Sequence, residues 1–352
     1  MAQSSIRSIG VLTGGGDCPG LNAVIRAVVK TAIHKFKLEV WGIADGYLGL
    51  IEDRVSRLSY SDASGILTIG GTILGTSNIA NPFRYAVKED GQMVFKDVSD
   101  SCIDALKKRN IDALICIGGD GTMSIAAKLA QKGLTIIGVP KTIDNDLVGT
   151  DVTFGFDTAV TTATEALDKI HTTAIAHHRV MIVEVMGRYA GWIALHSGVA
   201  SGADVILIPE IPYSLDAVCQ YVMHRSQHGK RFSIIAVAEG AKEQGGQMHI
   251  ARTVAHSHDP VRLGGVGYRL AEKIAAQTGL ECRATNLGHV QRGGTPTPRD
   301  RVLGTIFGHC GMELLMDGVR NKLVVLKDNV LSSIDLAEVA DKTRTVQPGD
   351  PL

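Results

Sequence analysis

Residues 111–146, IDALICIGGDGTMSIAAKLAQKGLTIIGVPKTIDND, constrain the fold of this chain more than any other stretch. Two apolar runs, Ala113–Ile117 and Leu134–Val139, have the length of buried strands. The alanine-rich segment Met123–Lys132 between them has the composition of a helix. A strand, a helix and a second strand in so short a span make a β-α-β unit, whose two strands run parallel. Open parallel sheets gather their ligands at the carboxyl ends of the strands. Both polar turns of the unit leave from such ends: Gly118-Gly119-Asp120-Gly121-Thr122 and Pro140-Lys141-Thr142-Ile143-Asp144-Asn145-Asp146.

On one crevice these turns bring together aspartates, a lysine, threonines and a run of glycines. That inventory suits phosphoryl transfer. Glycine lets backbone N–H groups approach phosphate oxygens with no Cβ in the way. Aspartates hold Mg²⁺, and one can take a proton from an attacking hydroxyl. A lysine sets positive charge against a moving phosphoryl group. Glycine turns and Asp/Asn turns also arise as plain turn chemistry with no ligand. The first turn admits either reading. The second crowds Thr142, Asp144, Asn145 and Asp146 into five residues and requires a functional reason.

Bulk composition removes several classes of function. Lys+Arg and Asp+Glu both number 36, so no global field draws the chain to nucleic acid or an anionic membrane, and neither is expected as a partner. Aromatic residues make up 5%, too few for a base-stacking surface. No apolar run approaches the ~18 residues of a membrane span. Phosphate binding must therefore come from local clusters. The cysteines (Cys18, Cys102, Cys116, Cys219, Cys282, Cys310) form no CxxC pair, which points to reduced thiols rather than a disulfide scaffold or a zinc site. With no charged-then-apolar leader at the amino terminus, a cytoplasmic location is expected. At 352 residues the chain has room for two domains of about 150 residues.

Strand and helix signals alternate from end to end. Ile6–Thr13 reads as a buried strand, and Gly14-Gly15-Gly16-Asp17-Cys18-Pro19-Gly20 leads from it into a helix over Ala23–Ile33. Strand, glycine turn and helix start have the geometry of a phosphate cradle, although this one is neither a P-loop nor a GxGxxG turn and also admits a tight turn without ligand. Further strands are expected over Leu38–Ala44, Arg179–Val185, Ala203–Ile208, Phe232–Val237, Glu281–Asn286 and Lys322–Leu326. Helical patterns cover Val98–Arg109, Thr158–Ala174, Leu215–His228, Gly264–Thr278 and Thr297–Met316. Residues 70–84 form a long polar loop. Residues 241–263 read as an exposed loop, with His256 and His258 solvated rather than metal-bound.

Two more strand-end turns carry cations and are candidate anion sites: Met186-Gly187-Arg188-Tyr189-Ala190-Gly191 and Gly288-His289-Val290-Gln291-Arg292-Gly293-Gly294. The second of them also admits a purely structural turn. The polar tail 343–352 is expected to be loosely held. The alternation as a whole reads as an α/β fold with mainly parallel sheets in two lobes.

Taken in order, GGGDCPGLN at 14–22, GGDGT at 118–122, PKTIDND at 140–146, VMGRYAGW at 185–192 and GHVQRGG at 288–294 resemble the 6-phosphofructokinase family along nearly the whole chain. The resemblance implies two Rossmann-like lobes with the active site between them. It implies Mg²⁺-dependent transfer of a phosphoryl group from ATP to the 1-hydroxyl of fructose 6-phosphate. A larger donor-binding lobe would span 1–155 and 291–342, and a smaller sugar-phosphate lobe 156–290 and 343–352. Asp144 then looks like the general base, and Asp120 the residue that holds Mg²⁺. Thr142 would bond the transferring phosphoryl group, Arg188 would stabilise its charge, and Lys141 would stand beside it. Gly15, Gly118, Gly119, Asp120, Gly121 and Thr122 would line the donor phosphates. Met186, Gly187, Arg188 and Glu239 would contact the sugar. Arg179, Arg283, His289 and Arg292 would surround its 6-phosphate. Arg179 and Arg283 would reach in from a neighbouring subunit, which implies a homo-oligomer, dimer or tetramer, with a shared site.

The donor signature is mixed. Gly121 follows Asp120 as in ATP-dependent members, whereas pyrophosphate-dependent members place an aspartate there. A carboxylate at that turn would occupy the path of the nucleotide's α-phosphate and repel it. Lys141 is the residue of pyrophosphate users; many ATP users have glycine. An obstruction excludes ATP, but an added lysine excludes nothing, so ATP is the expected donor and pyrophosphate the alternative. Asn78 departs from an arginine common in ATP-dependent bacterial members. A non-catalytic sugar-phosphate sensor is at odds with the intact set Asp120, Thr142, Asp144 and Arg188. A NAD-kinase-like or lipid-kinase-like enzyme explains GGDGT but neither PKTIDND nor GHVQRGG.

Overall fold

Short apolar runs unbroken by polar residues demand burial on both faces, and parallel sheets covered by helices meet that demand. The structure is a computed structural model that describes residues 6–254 and 260–352. His256 and His258, expected to be solvated, lie outside the described residues. The first strands are β1 (Ser8–Thr13), β2 (Glu39–Ile43), β3 (Val55–Leu58), β4 (Tyr85–Glu89), β5 (Gln92–Lys96), β6 (Ala113–Gly118) and β7 (Thr135–Pro140). Next come β8 (Val180–Val185), β9 (Val205–Leu207), β10 (Ser233–Ala238), β11 (Ile250–Thr253), β12 (Val261–Leu263) and β13 (Cys282–Asn286). The last are β14 (Lys322–Lys327) and β15 (Val330–Asp335).

Seven strands make the larger sheet, in the order β15-β14-β7-β6-β1-β2-β3. It is parallel from β14 to β2 and antiparallel only where β15 and β3 close its edges. The smaller sheet, β13-β8-β10-β9, is parallel throughout. Side chains alternate across each strand. Val11, Ile115, Ile117 and Val139 pack with helices Leu21–His34 and Pro298–Met316 on one face. Leu12, Leu114, Cys116 and Ile136 pack with helices Ser99–Lys107 and Asp120–Gln131 on the other. The first of these cores continues through helix Phe156–His177 to Met181, Val183, Ile234 and Ala236 of the smaller sheet. One apolar body thus carries both sheets and fixes how their strand ends face each other.

Most expected strands and helices fall within two residues of their reading. Three places differ. Helix Asp120–Gln131 starts three residues before the expected Met123, because Gly119 takes the N-cap and draws Asp120, Gly121 and Thr122 into the first turn. The stretch expected as an exposed loop over 241–263 contains the antiparallel hairpin β11–β12, whose strands are too short for their alternation to stand out. The tail, expected to be loose, is bonded to the body through Arg344 and Val346. Helix Trp192–Ala200 and the hairpin β4–β5 carried no periodicity long enough to read. No helix among the described residues is long and apolar enough to cross a membrane.

Candidate active site

Each parallel strand delivers the loop that follows it to the same end of its sheet. The loops after β1, β6 and β7 of the larger sheet and after β8, β10 and β13 of the smaller one meet on a cleft of about 1060 Å³. From the first sheet, Gly15, Gly119, Asp120, Gly121, Thr122, Lys141, Thr142 and Asp144 line it. From the second, Met186, Arg188, Glu239, His289 and Arg292 face them.

One wall is built for anions. The first internal bond of helix Asp120–Gln131 runs from Met123 N–H to Gly119 O at 3.0 Å. The helix itself therefore offers no acceptor to the N–H groups of Asp120, Gly121 and Thr122, at the positive end of its dipole. Gly118 backs this wall rather than lining the cleft, and a Cβ there would meet the Thr122 side chain at 2.3 Å. Across the turn, Gly15 N–H donates to Ser77 O at 3.1 Å and the Thr76 hydroxyl to Gly15 O at 2.6 Å. The long loop 70–84 is thus stitched to the glycine turn, and Asn78 lines the cleft beside it. Lys141 is buried, with Nζ donating to Gly16 O at 2.5 Å. Burial pushes its ammonium below the usual lysine range, while the Asp144 and Asp120 carboxylates oppose that shift.

The turn after β7 is buried from Lys141 to Asp146. Thr142 Oγ1 accepts Asp144 N–H at 3.0 Å, and the Thr153 hydroxyl donates to Thr142 O at 2.7 Å. Asn145, with φ 53°, takes the left-handed conformation that asparagine tolerates, and its Oδ1 accepts Thr153 N–H at 3.1 Å. This lattice of bonds leaves Asp144 Oδ1 buried with no hydrogen-bond partner among the described residues. Such an orphaned acceptor costs about 1–3 kcal/mol. Burial, then the Asp144 and Asp120 carboxylates, raise Asp146 well above the usual range.

The facing wall is held by hydrogen bonds between its own loops. Gly187 has φ 144°, and a Cβ there would meet Ala190 O at 2.4 Å, so only glycine makes the turn after β8. Arg188 follows at φ 52°, uncommon for a residue of its size. Its N–H donates to Glu239 Oε1 at 3.0 Å and so joins the loops after β8 and β10. Burial, and next the Asp144 carboxylate, push Glu239 up to about 7. Arg188 Nη1 stands 3.9 Å from Asp120 Oδ1, a loose and part-exposed pair that spans the cleft. Arg292 Nη1 donates to Asp17 O at 3.0 Å, tying the turn after β13 to the glycine turn.

Gly187, like Gly118, does not itself line the cleft, though its neighbours Met186 and Arg188 do, and two further expected residues stand well away from the cleft of their own chain. Arg179 and Arg283 both pair with Glu281, at 2.9 and 2.7 Å, by the amino-terminal ends of β8 and β13. The length of β8 puts Arg179 roughly 20 Å from Met186 at about 3.3 Å per residue. Conversely, sequence reasoning missed Arg252 and Arg262, which lie directly opposite each other on β11 and β12 and line the cleft. It also missed Glu184, whose carboxylate accepts N–H groups of Gly265 and Gly267, both at 2.8 Å, and Asn286 Nδ2 at 2.6 Å. Those bonds anchor the exit of the hairpin to β8 and β13. A lone glutamate inside the apolar run VMIVEV was the available signal.

A divalent cation fits beside Asp120. Asp120, Asp144 and Asp146 place three carboxylates on one wall of the cleft, hard oxygen donors of the kind a divalent cation takes. Among the described residues no His/Cys/Asp/Glu group forms a ready-made cage. An ion held by one or two carboxylates and by substrate phosphates needs none.

Comparison with known proteins bears on which chemistry this cleft serves. The family profile described as Phosphofructokinase matches residues 8–315. "ATP-dependent 6-phosphofructokinase 2" of Clostridium perfringens (strain 13 / Type A) is 52% identical over 349 residues, 99% of this chain and 95% of that one. "Pyrophosphate--fructose 6-phosphate 1-phosphotransferase" of Amycolatopsis mediterranei (strain S699) is 49% identical over 339 residues, 96% of each chain. Among solved structures, Pichia pastoris phosphofructokinase in the T-state matches with a TM-score of 0.80 at 31% identity. That match covers 96% of this chain but 35% of the other, so the chain spans about a third of that protein's length. With the profile spanning both sheets and the relatives matching nearly end to end, the chain belongs to the phosphofructokinase family of phosphotransferases.

Proposed function

We propose that the protein is a 6-phosphofructokinase that transfers the terminal phosphoryl group of ATP to the 1-hydroxyl of fructose 6-phosphate, with Mg²⁺ as its divalent ion. The observation that carries this reading is the orphaned Oδ1 of Asp144, buried in the cleft between an anion-binding wall and a wall that carries cations. A sugar hydroxyl is the donor that oxygen lacks. Asp144 takes the hydroxyl proton as the sugar oxygen bonds to the terminal phosphorus and the bond from that phosphorus to the leaving diphosphate breaks. Thr142, Lys141 and Arg188 surround the group in flight. The free N–H groups at the start of helix Asp120–Gln131 and the Gly15 turn hold the donor phosphates. Mg²⁺, held by Asp120 when bound, supplies further charge against those phosphates.

Met186, Gly187, Arg188 and Glu239 form the sugar side, and His289 and Arg292 take the 6-phosphate end. Arg179 and Arg283 serve the cleft of a neighbouring subunit in a homo-oligomer, since they stand away from their own. The donor lobe runs over 1–155 and 291–342 and the sugar-phosphate lobe over 156–290 and 343–352. Cysteines that are all free suit a cytoplasmic setting.

Relatives named for ATP and for pyrophosphate are similar to this chain at 52% and 49%, too close to choose a donor by. Gly121 supports ATP: it sits in the first turn of the helix, on the cleft, with no side chain in the path of a nucleotide. Pyrophosphate is the second reading, and buried Lys141 is what favours it. Fructose 6-phosphate turnover with Mg²⁺ and either donor at matched concentration tests both. Turnover is expected with ATP, and turnover with pyrophosphate alone would reverse the donor assignment.

A further inference from the structure

The segment 343–352 reaches both halves of the cleft from behind. Arg344 N–H donates to Asp146 O at 2.7 Å. Its Nη1 donates to the carbonyl oxygens of Asn145 and Asp151, at 3.3 and 3.0 Å. The same guanidinium lies over the Trp192 ring, 4.3 Å from its centroid, and Trp192 Nε1–H donates to Arg344 O at 3.2 Å. Two residues on, Val346 is buried and its N–H donates to Glu210 Oε1 at 2.9 Å. That same carboxylate oxygen accepts Gly191 N–H at 3.0 Å. Asn145 and Asp146 belong to the turn that carries Asp144. Gly191 and Trp192 close the turn that carries Arg188. Residues 344–346 therefore bond to both turns at once, from different sheets.

We propose that Arg344 is a positioning residue, and that residues 344–346 act as a strap which sets the spacing between Asp144 and Arg188. The inference rests on the reading of Asp144 as the base. Arg344 does not line the cleft, so it acts only through the backbone it holds. That backbone includes Asn145, whose carbonyl Arg344 bonds directly and which adjoins Asp144 in the same turn. An arginine suits the task because a single terminal nitrogen, Nη1, reaches two carbonyls while the flat face of the guanidinium stacks on an indole. A lysine keeps the charge and a terminal nitrogen but lacks the flat face that fixes its position on Trp192.

The test compares Arg344→Ala, Arg344→Lys and Val346→Ala in the full-length chain, with steady-state kinetics well below each melting temperature. Misplacement of a catalytic group by about 1 Å can cost on the order of 100-fold in rate. Arg344→Ala is expected to lower kcat by about 10- to 100-fold, with KM for both substrates changed by no more than about threefold. Arg344→Lys is expected to recover little of it, and millimolar guanidinium to restore part of the activity of Arg344→Ala. Val346→Ala removes only side-chain packing and keeps the backbone N–H that bonds Glu210, so the strap's hydrogen bonds to both turns remain; it should lower the melting temperature and leave kcat near wild type. A wild-type kcat in Arg344→Ala overturns the proposal. So does an equal loss of kcat in Val346→Ala at equal stability, which would mark a purely structural tail. If the wild-type protein does not phosphorylate fructose 6-phosphate, the proposed function falls instead. Amide exchange over residues 143–147 then decides the strap: faster exchange in Arg344→Ala supports it, and unchanged exchange overturns it.

Discussion

Asp144 holds an unmet acceptor in a turn where Thr142 and Asn145 side-chain oxygens are both bonded. Glu210 and Asp300 also carry an unpartnered buried oxygen, but theirs lie off the cleft, whereas that of Asp144 belongs to a residue that lines it and can meet a substrate donor. Asp144→Asn keeps the shape and removes the base. Its kcat is expected to fall by ~10²–10⁴ while the circular dichroism spectrum and KM stay near wild type. Near-normal turnover in that variant would take Asp144 out of the mechanism. Gly121 invites the opposite experiment. It lies in the first turn of helix Asp120–Gln131, where an added carboxylate is favoured by the helix dipole by about 0.3–1 kcal/mol. Gly121→Asp should therefore not lower the melting temperature. Its carboxylate should still repel the nucleotide and raise KM for ATP by about tenfold or more, roughly 1.4 kcal/mol. ATP kinetics that match wild type would show that charge and space at this position do not choose the donor.

At the scale of elements, the hairpin β11–β12 is the informative one, because it brings two arginines to the cleft. Isolated two-stranded hairpins are marginal, and like charges directly opposite destabilise them further. Yet Arg252 and Arg262 face each other across the two strands, with most of the hairpin exposed. What holds it is the root: His249 Nδ1 to Gly264 O, at 2.5 Å, and the Glu184 carboxylate on Gly265, Gly267 and Asn286. These ties run to the strands that carry the sugar-side loops, so the two arginines are expected to bind the acceptor's phosphate rather than the donor. A charge-assisted hydrogen bond contributes about 1.5–3 kcal/mol. Arg252→Gln combined with Arg262→Gln should then raise KM for fructose 6-phosphate by about tenfold and leave KM for ATP within about twofold. If KM for ATP shifts instead, in the same assay, the pair serves the donor.

For the whole molecule, the position of Arg179 and Arg283 is the informative feature. Each chain concentrates two guanidinium groups beside Glu281 at the end of the smaller sheet remote from its own cleft. A charge pair so placed acts on substrate only if a second copy presents its cleft there. Asp144→Asn protein mixed with Arg179→Ala protein should regain activity that neither has alone, because one hybrid interface assembles an intact site. Demonstrated subunit exchange with no return of activity would remove the shared site.

The sequence by itself determined the chemistry and the parallel sheets. Strand-length apolar runs can be buried only between helices. The residues after Ile117, Val139, Val185 and Asn286 lie at strand ends wherever those strands go. Such information is local, carried by neighbours in the chain, and so it can be read from one stretch at a time. Only the tertiary structure decided what is carried by contact between distant segments. The carbonyls of Asn145 and Asp151 find their donor some two hundred residues away in Arg344. Glu184 becomes the anchor of a hairpin because β8 and β13 are neighbours. Arg179 is separated from Met186 by the full length of a strand, although a few residues of sequence join them. Hydrogen bonds and charges act over a few ångströms of space, so their partners appear only when the chain has closed on itself.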